Sequence, residues 1–127
     1  MQEKPLFARN KILEHFYSPK NCGEINNPDG VGTSKLEEHG IAHRFTIKVE
    51  NRIIADIKFQ TAGCISSIAS ASVITELAKG KELGEVQSIT PEEVSKALGG
   101  LPEEKMHCAR LAVRTLRKAI EDYKKRR

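Results

Sequence analysis

Tryptophan does not occur in the chain, and two tyrosines and four phenylalanines are its only aromatic residues. That leaves little on which bases could stack, so nucleic acid is not an expected partner. The net charge of +4 does not reverse this, because much of the excess is the closing Lys124-Lys125-Arg126-Arg127, and elsewhere acids and bases alternate. No apolar run approaches a membrane span, and Met1-Gln2-Glu3-Lys4-Pro5 lacks the apolar core of a secretion signal. Cysteine is scarce and odd in number, at three, which argues against a disulfide framework. Internal repeats and low-complexity tracts are also missing. The 127 residues are one domain's worth, able to bury roughly two-thirds of their extended surface without covalent staples. The expectation is a single domain over residues 1–127, soluble and cytoplasmic, with reduced thiols and no membrane contact.

The chain is organised around Gln60-Thr61-Ala62-Gly63-Cys64-Ile65-Ser66-Ser67-Ile68-Ala69-Ser70. Residues 52–61 read as a strand, with Ile53, Ala55, Ile57, Phe59 and Thr61 on one face and Ile54, Asp56, Lys58 and Gln60 on the other. Gly63 breaks the pattern. Residues 66–79 read as a helix that is small or apolar almost all round, apart from Glu76 and Lys79, as a centrally packed helix is. Cys64 therefore falls at a helix N-terminus, where unpaired amides and the helix dipole favour a thiolate. Taken alone, a cysteine so placed is more often a small buried hydrophobe.

A short amphipathic helix is expected over residues 6–16, followed by loop from 18 to 30 that contains Cys22. Residues 39–50 read as a second strand, with Phe45, Ile47 and Val49 inward and His43, Ile41 and His39 continuing that face. A hairpin turn centred on Asn51 would set His39 across from Gly63, beside Cys64, and His43 across from Phe59. Four strand residues span roughly 13 Å, so His39 is the candidate ligand and His43 an ordinary core-edge histidine. One helical turn is expected over 81–87. Thr90-Pro91-Glu92-Glu93 carries the signs of a capped helix start. The last helix, 107–125, places Cys108, Ala112, Leu116, Ala119, Ile120 and Tyr123 on one face, with His107 half exposed beside the thiol. Arg110, Arg114, Arg117 and Lys118 form a basic stripe, a solvated face that an acidic partner protein could use. With a weak third strand over 31–36, the fold class is α+β: a small antiparallel three-stranded sheet with helices packed on one face.

His39 with Cys64, and His107 with Cys108, make a two-cysteine, two-histidine set. Soft thiolate and imidazole suit zinc or iron and reject magnesium or calcium. The rival reading is a Cys/His nucleophile pair, but neither an orienting third group nor an oxyanion-hole pattern is present, so no enzyme is expected.

At this point the motifs resemble a known family, the IscU/NifU-type iron–sulfur cluster assembly scaffolds, along nearly the whole chain. The resemblance is carried by His15-Phe16-Tyr17-Ser18-Pro19-Lys20-Asn21 with Gly23, Val31-Gly32, Ile47-Lys48-Val49 and Phe59-Gln60-Thr61-Ala62-Gly63-Cys64. It continues through Ile68-Ala69-Ser70-Ala71-Ser72, Thr75-Glu76, Lys79-Gly80-Lys81, Leu101-Pro102, Lys105-Met106-His107-Cys108 and Ile120-Glu121-Asp122-Tyr123. It implies a scaffold that takes sulfur from a cysteine desulfurase, holds a metal or a 2Fe-2S cluster, and passes it to recipient iron–sulfur apoproteins as a monomer or weak homodimer. Cys64 then matches the second family cysteine, His107 the histidine, and Cys108 the third cysteine and persulfide acceptor. His39 stands in place of the first cysteine, in a segment about two residues shorter, and Ile41 in place of the aspartate.

An imidazole cannot carry a persulfide, yet it can ligate iron or zinc, as in Rieske-type centres. The implied ligand set is His39, Cys64 and Cys108, with His107 as fourth or alternate. Loss of the aspartate implies a cluster held more tightly or never assembled. Leu101-Pro102-Glu103-Glu104-Lys105 matches the family's Leu-Pro-Pro-Val-Lys chaperone motif only in part, its two acids arguing against the dedicated chaperone. Cys22 stands where the family has an apolar residue and reads as a tolerated substitution. The alternative function is a zinc-stabilised interaction protein that docks on a desulfurase or another sulfur-handling enzyme and regulates it.

Overall fold

A computed structural model describes residues 10–126. The amphipathic helix is α1, Lys11–Tyr17, capped by the Asn10 side chain, which accepts from the amides of Ile12 and Leu13 at 3.0 and 3.3 Å. The expected start of that helix near Leu6 lies outside the described residues. Three strands follow, β1 (Gly30–Leu36), β2 (Ile41–Glu50) and β3 (Ile53–Ala62), paired antiparallel in that order. Then come α2 (Ile65–Ala78), α3 (Leu83–Gln87), α4 (Pro91–Ala97) and α5 (Met106–Lys125). The capping box predicted at Thr90 forms, with Glu93 reaching back to the Thr90 amide. Among the described residues no helix is long and apolar enough to cross a membrane.

Two details shift the register away from the sequence expectation. The hairpin turn is the pair Asn51 and Arg52, both at positive φ (53° and 66°), as a two-residue turn of the I′ kind demands. Lys48 then pairs with Asp56 but Val49 with Ile54, so Ala55 is an extra residue bulging from β3. His43 accordingly opposes Thr61, and Phe59 opposes Phe45. The bulge also reverses the side-chain phase. Ile54, Ile57 and Phe59 are all fully buried, whereas Ile53 and Ala55, expected inward, are exposed.

Helices α2 and α5 cover one face of the sheet. Its Phe45, Ile47, Ile57 and Phe59 pack with Ala69 and Ile74 of α2 and Ala112, Leu116 and Ile120 of α5 in the main core. Gly30 and Gly32 of β1 let the α5 backbone come in close: a Cβ on Gly32 would lie 2.2 Å from the Thr115 carbonyl oxygen. The contact is tied off where Asp122 accepts from the Val31 amide at 2.8 Å. On the far side His15 docks α1 onto α2, through Ser72 Oγ at 2.7 Å and Glu76 at 3.2 Å. The loop after α1 then seals the free edge of β3, with Asn21 and Gly23 bonding the Phe59 backbone and exposed Cys22 between them.

Candidate functional site

The end of the sheet opposite the Asn51 turn is where β3 gives way to α2. Gly63 makes the transition at φ 152°, and a Cβ there would meet Ser67 Oγ at 2.4 Å. Cys64 is the N-cap residue, its carbonyl accepting from the amides of Ser67 and Ile68 and from the Ser67 hydroxyl at 2.7 Å. Its thiol is half exposed. Cys108, in the first turn of α5, is fully buried in a small apolar cluster with Ile41 and Leu111, against which Leu36 and Cys64 pack. The two sulfur atoms are 4.0 Å apart.

Their acidities diverge. Burial alone would push the Cys64 thiol up, but the Ser67 amide and hydroxyl, the Cys108 thiol and the Ser66 amide outweigh it and hold Cys64 below the ordinary thiol range. Cys108 has no such donors. Burial, and then the charge and hydrogen bond of Cys64, push it up to about 12.

His39 departs from the position expected of it. The short link between β1 and β2 reverses the chain in a 3₁₀ turn, Glu37–His39, closed by Gly40 in the left-handed region with its amide on the Glu37 carbonyl. His39 is thus an exposed turn residue and does not lie on β2 across from Gly63. From the turn its ring stacks on His107 of α5, with centroids 4.0 Å apart and planes 18° from parallel. Burial, then the His39 ring and the charges of Lys105 and Arg110, lower the pKa of His107. The rings border a cleft of about 400 Å³ lined also by Leu36, Glu38, Arg110, Leu111 and Arg114. Leu36 and Leu111 belong to the apolar cluster around Cys108 too, so the imidazole cleft and the thiol cluster share them as a common wall.

The structure therefore brings the four predicted residues together as two pairs, thiol with thiol and imidazole with imidazole. Among the described residues no three His, Cys, Asp or Glu side chains gather around a point where an ion would sit. Ile41 is buried against Cys108 and Leu111, keeping water from the Cys108 thiol. His43 lies away from the pairs, in a polar row with its strand neighbours Ser34 and Thr61. The Ser67 hydroxyl and the Leu36 wall were not singled out from the sequence. Ser67 was findable as the third residue after a cysteine at a helix start, whereas nothing local marked Leu36.

Three comparisons bear on this geometry. The NifU-like N terminal domain family matches residues 8–127. An iron–sulfur cluster assembly scaffold protein IscU 1 from Archaeoglobus fulgidus is 50% identical over 113 residues, covering 89% of this chain and 74% of its own. The IscU scaffold of Aquifex aeolicus is 44% identical over 115 residues, covering 89% and 73%. Among solved structures, a NifU-like N-terminal protein from Brucella abortus superposes with a TM-score of 0.73 at 19% identity, over 95% of this chain and 96% of that one, which supports the fold. With a family match along nearly its entire length and relatives at these identities, the chain belongs to the IscU/NifU family.

Proposed function

We propose that this protein is a scaffold on which an iron–sulfur cluster is assembled and from which it is passed to recipient apoproteins, with no catalysis of its own. The observation that carries the reading is the pair of thiols 4.0 Å apart at two helix starts, in a chain whose relatives are named as cluster assembly scaffolds. Cys64 and Cys108 would supply sulfur ligands to the cargo. His107 and His39, one on the thiol-bearing helix and one on an exposed turn, would supply nitrogen after their rings unstack. Sulfur would come from a cysteine desulfurase and be stored on Cys108. Arg110 and Arg114, beside the imidazoles, would face acidic groups of a partner. A 2Fe-2S cluster matches the number and softness of these donors.

Anaerobic reconstitution with iron, sulfide and a desulfurase tests the reading. A visible charge-transfer spectrum is expected from the wild-type protein, and its loss from Cys64→Ala and from Cys108→Ala. A colourless wild-type product would overturn it. A second reading rests on His39 and Ile41, which replace the thiol and carboxylate implied by the family: a zinc-stabilised regulator of a sulfur-handling enzyme. Elemental analysis of protein purified without added metal separates the two, since stoichiometric zinc that persists through reconstitution favours the regulator.

A further inference from the structure

The two thiols are unequal in access. Cys108 has no exposed surface and is enclosed by Ile41, Leu111, Leu36 and Cys64, so a sulfur donor approaching from solvent or from a partner's surface meets Cys64 first. Cys22, the third thiol, sits beside Phe59 on the edge of β3, with roughly 10 Å of strand still to run before the Cys64 end. The spacing of the pair is also informative. A sulfur–sulfur bond is about 2.05 Å, so at 4.0 Å the two thiols touch without being bonded, at a separation of about two such bonds. A sulfur atom carried on Cys64 would therefore lie within bonding reach of Cys108 with both helices where they are. Joining the two cysteines directly would instead require their sulfur atoms to close to about half that distance.

We infer that Cys64 is the entry thiol, which accepts sulfane sulfur and relays it to the adjoining Cys108. The inference rests on the scaffold reading for the need to handle sulfur, and adds the route. In the first step the Cys64 thiolate attacks the outer sulfur of a donor persulfide; the donor's sulfur–sulfur bond breaks and the donor leaves as a thiolate. In the second, Cys108 Sγ attacks that same sulfur, the bond to Cys64 breaks, and the proton lost by Cys108 is taken up by the departing Cys64 thiolate. Nothing is oxidised or reduced overall. The sulfur ends in an enclosed apolar site, sheltered by Ile41 from water and stray thiols, and Cys64 is free for the next transfer.

The test needs no iron, so its outcome is independent of whether a cluster forms. Full-length protein, reduced and freed of reductant under anaerobic conditions, is treated with glutathione persulfide. Samples quenched over time are alkylated, and the sulfur is located by peptide mass spectrometry. In the wild type the added sulfur should appear on Cys64 first and on Cys108 after a lag. Cys108→Ala should retain it on Cys64. Cys64→Ser keeps a good N-cap for α2, so the fold is maintained and circular dichroism should be unchanged. In that variant labelling of Cys108 should slow by about tenfold or more, because a buried thiol reacts only when its cover opens. Labelling of Cys108 at the wild-type rate in Cys64→Ser would overturn the relay. So would release of sulfide with a Cys64–Cys108 disulfide as the product, or label confined to Cys22.

Discussion

Gly32→Ala is expected to cost about 3 kcal/mol, the upper end of what overpacking by one methyl group does, and to loosen the thiol pair at the same time. The added Cβ would lie 2.2 Å from the Thr115 carbonyl oxygen and 2.6 Å from the Ala119 amide nitrogen. Both are backbone atoms of α5 and cannot rotate away, so the helix itself must lift from β1. Cys108 lies two turns before Thr115 on the same rigid element, roughly 10 Å along its axis, and moves with it. Urea midpoints should fall sharply, and alkylation of Cys108 should become measurable where it is slow in the wild type. Two controls isolate the cause. Thr33→Ala, next along β1 on the exposed face, should stay within about 0.5 kcal/mol of wild type. Gly40→Ala, whose new Cβ meets nothing, should show only the cost of a left-handed conformation, about 1 kcal/mol. A Gly32→Ala protein with unchanged midpoint and an unreactive Cys108 would mean that α5 does not rest on β1 as described.

What the sequence made legible was local. The capping box at Thr90, the small-residue helix after Cys64, the inward face of α5 and the hairpin between β2 and β3 each follow from residues within one turn or one strand of each other. Register was less accessible, because it depends on two features with no periodic signature. Whether a turn uses one residue or the pair Asn51 and Arg52, and whether β3 carries an extra Ala55, is decided by the packing of Ile54 and Ile57 against helices distant in sequence. That small error moved His43 from Phe59 to Thr61 and placed His39 on a strand that begins only at Ile41.

The candidate site inherits the same limit. That Cys64 and Cys108 both stand at helix starts was readable from Gly63 and from the apolar face of α5. That their sulfurs come within 4.0 Å was not, since it depends on how α5 crosses the sheet, and the glycines allowing that approach, Gly30 and Gly32, lie far away in sequence. The pairing of His39 with His107 is likewise a consequence of the 3₁₀ turn. A connection shortened to four residues, 37–40, has no room for another strand residue, so it projects His39 sideways toward α5.

The second large effect is a loss of stability in mild acid, centred on His43. Thr61 spends its one hydroxyl proton on the Ala42 carbonyl at 2.9 Å, so at 2.8 Å it accepts from Nδ1–H of His43. That fixes the tautomer and leaves Nε2 as a bare lone pair, buried with no partner. Its surroundings are Phe45, stacked at 6.1 Å, and the equally unpartnered Ser34 hydroxyl, with no carboxylate to welcome a proton. Burial therefore lowers the pKa of His43 to about 4 from an unfolded value of 6.5. Because the folded value is the lower one, the unfolded chain takes up the proton first. The contribution is fully present above 6.5, declines as pH falls through the window, and is exhausted near 4. The gap amounts to about 3 kcal/mol. His15, whose pKa burial also lowers, adds to the loss in the same direction. The row that His43 shares with Ser34 and Thr61 separates the main core from the apolar cluster around Cys108, so acid should loosen the thiol-bearing end first. Urea midpoints followed from neutral pH to about 4 should fall across this window. His43→Phe preserves the stack on Phe45, leaves the Thr61 bond to Ala42 intact and removes the titrating group, and should therefore flatten the profile down to the share of His15. A profile equally steep in His43→Phe would assign the acid sensitivity to some other group.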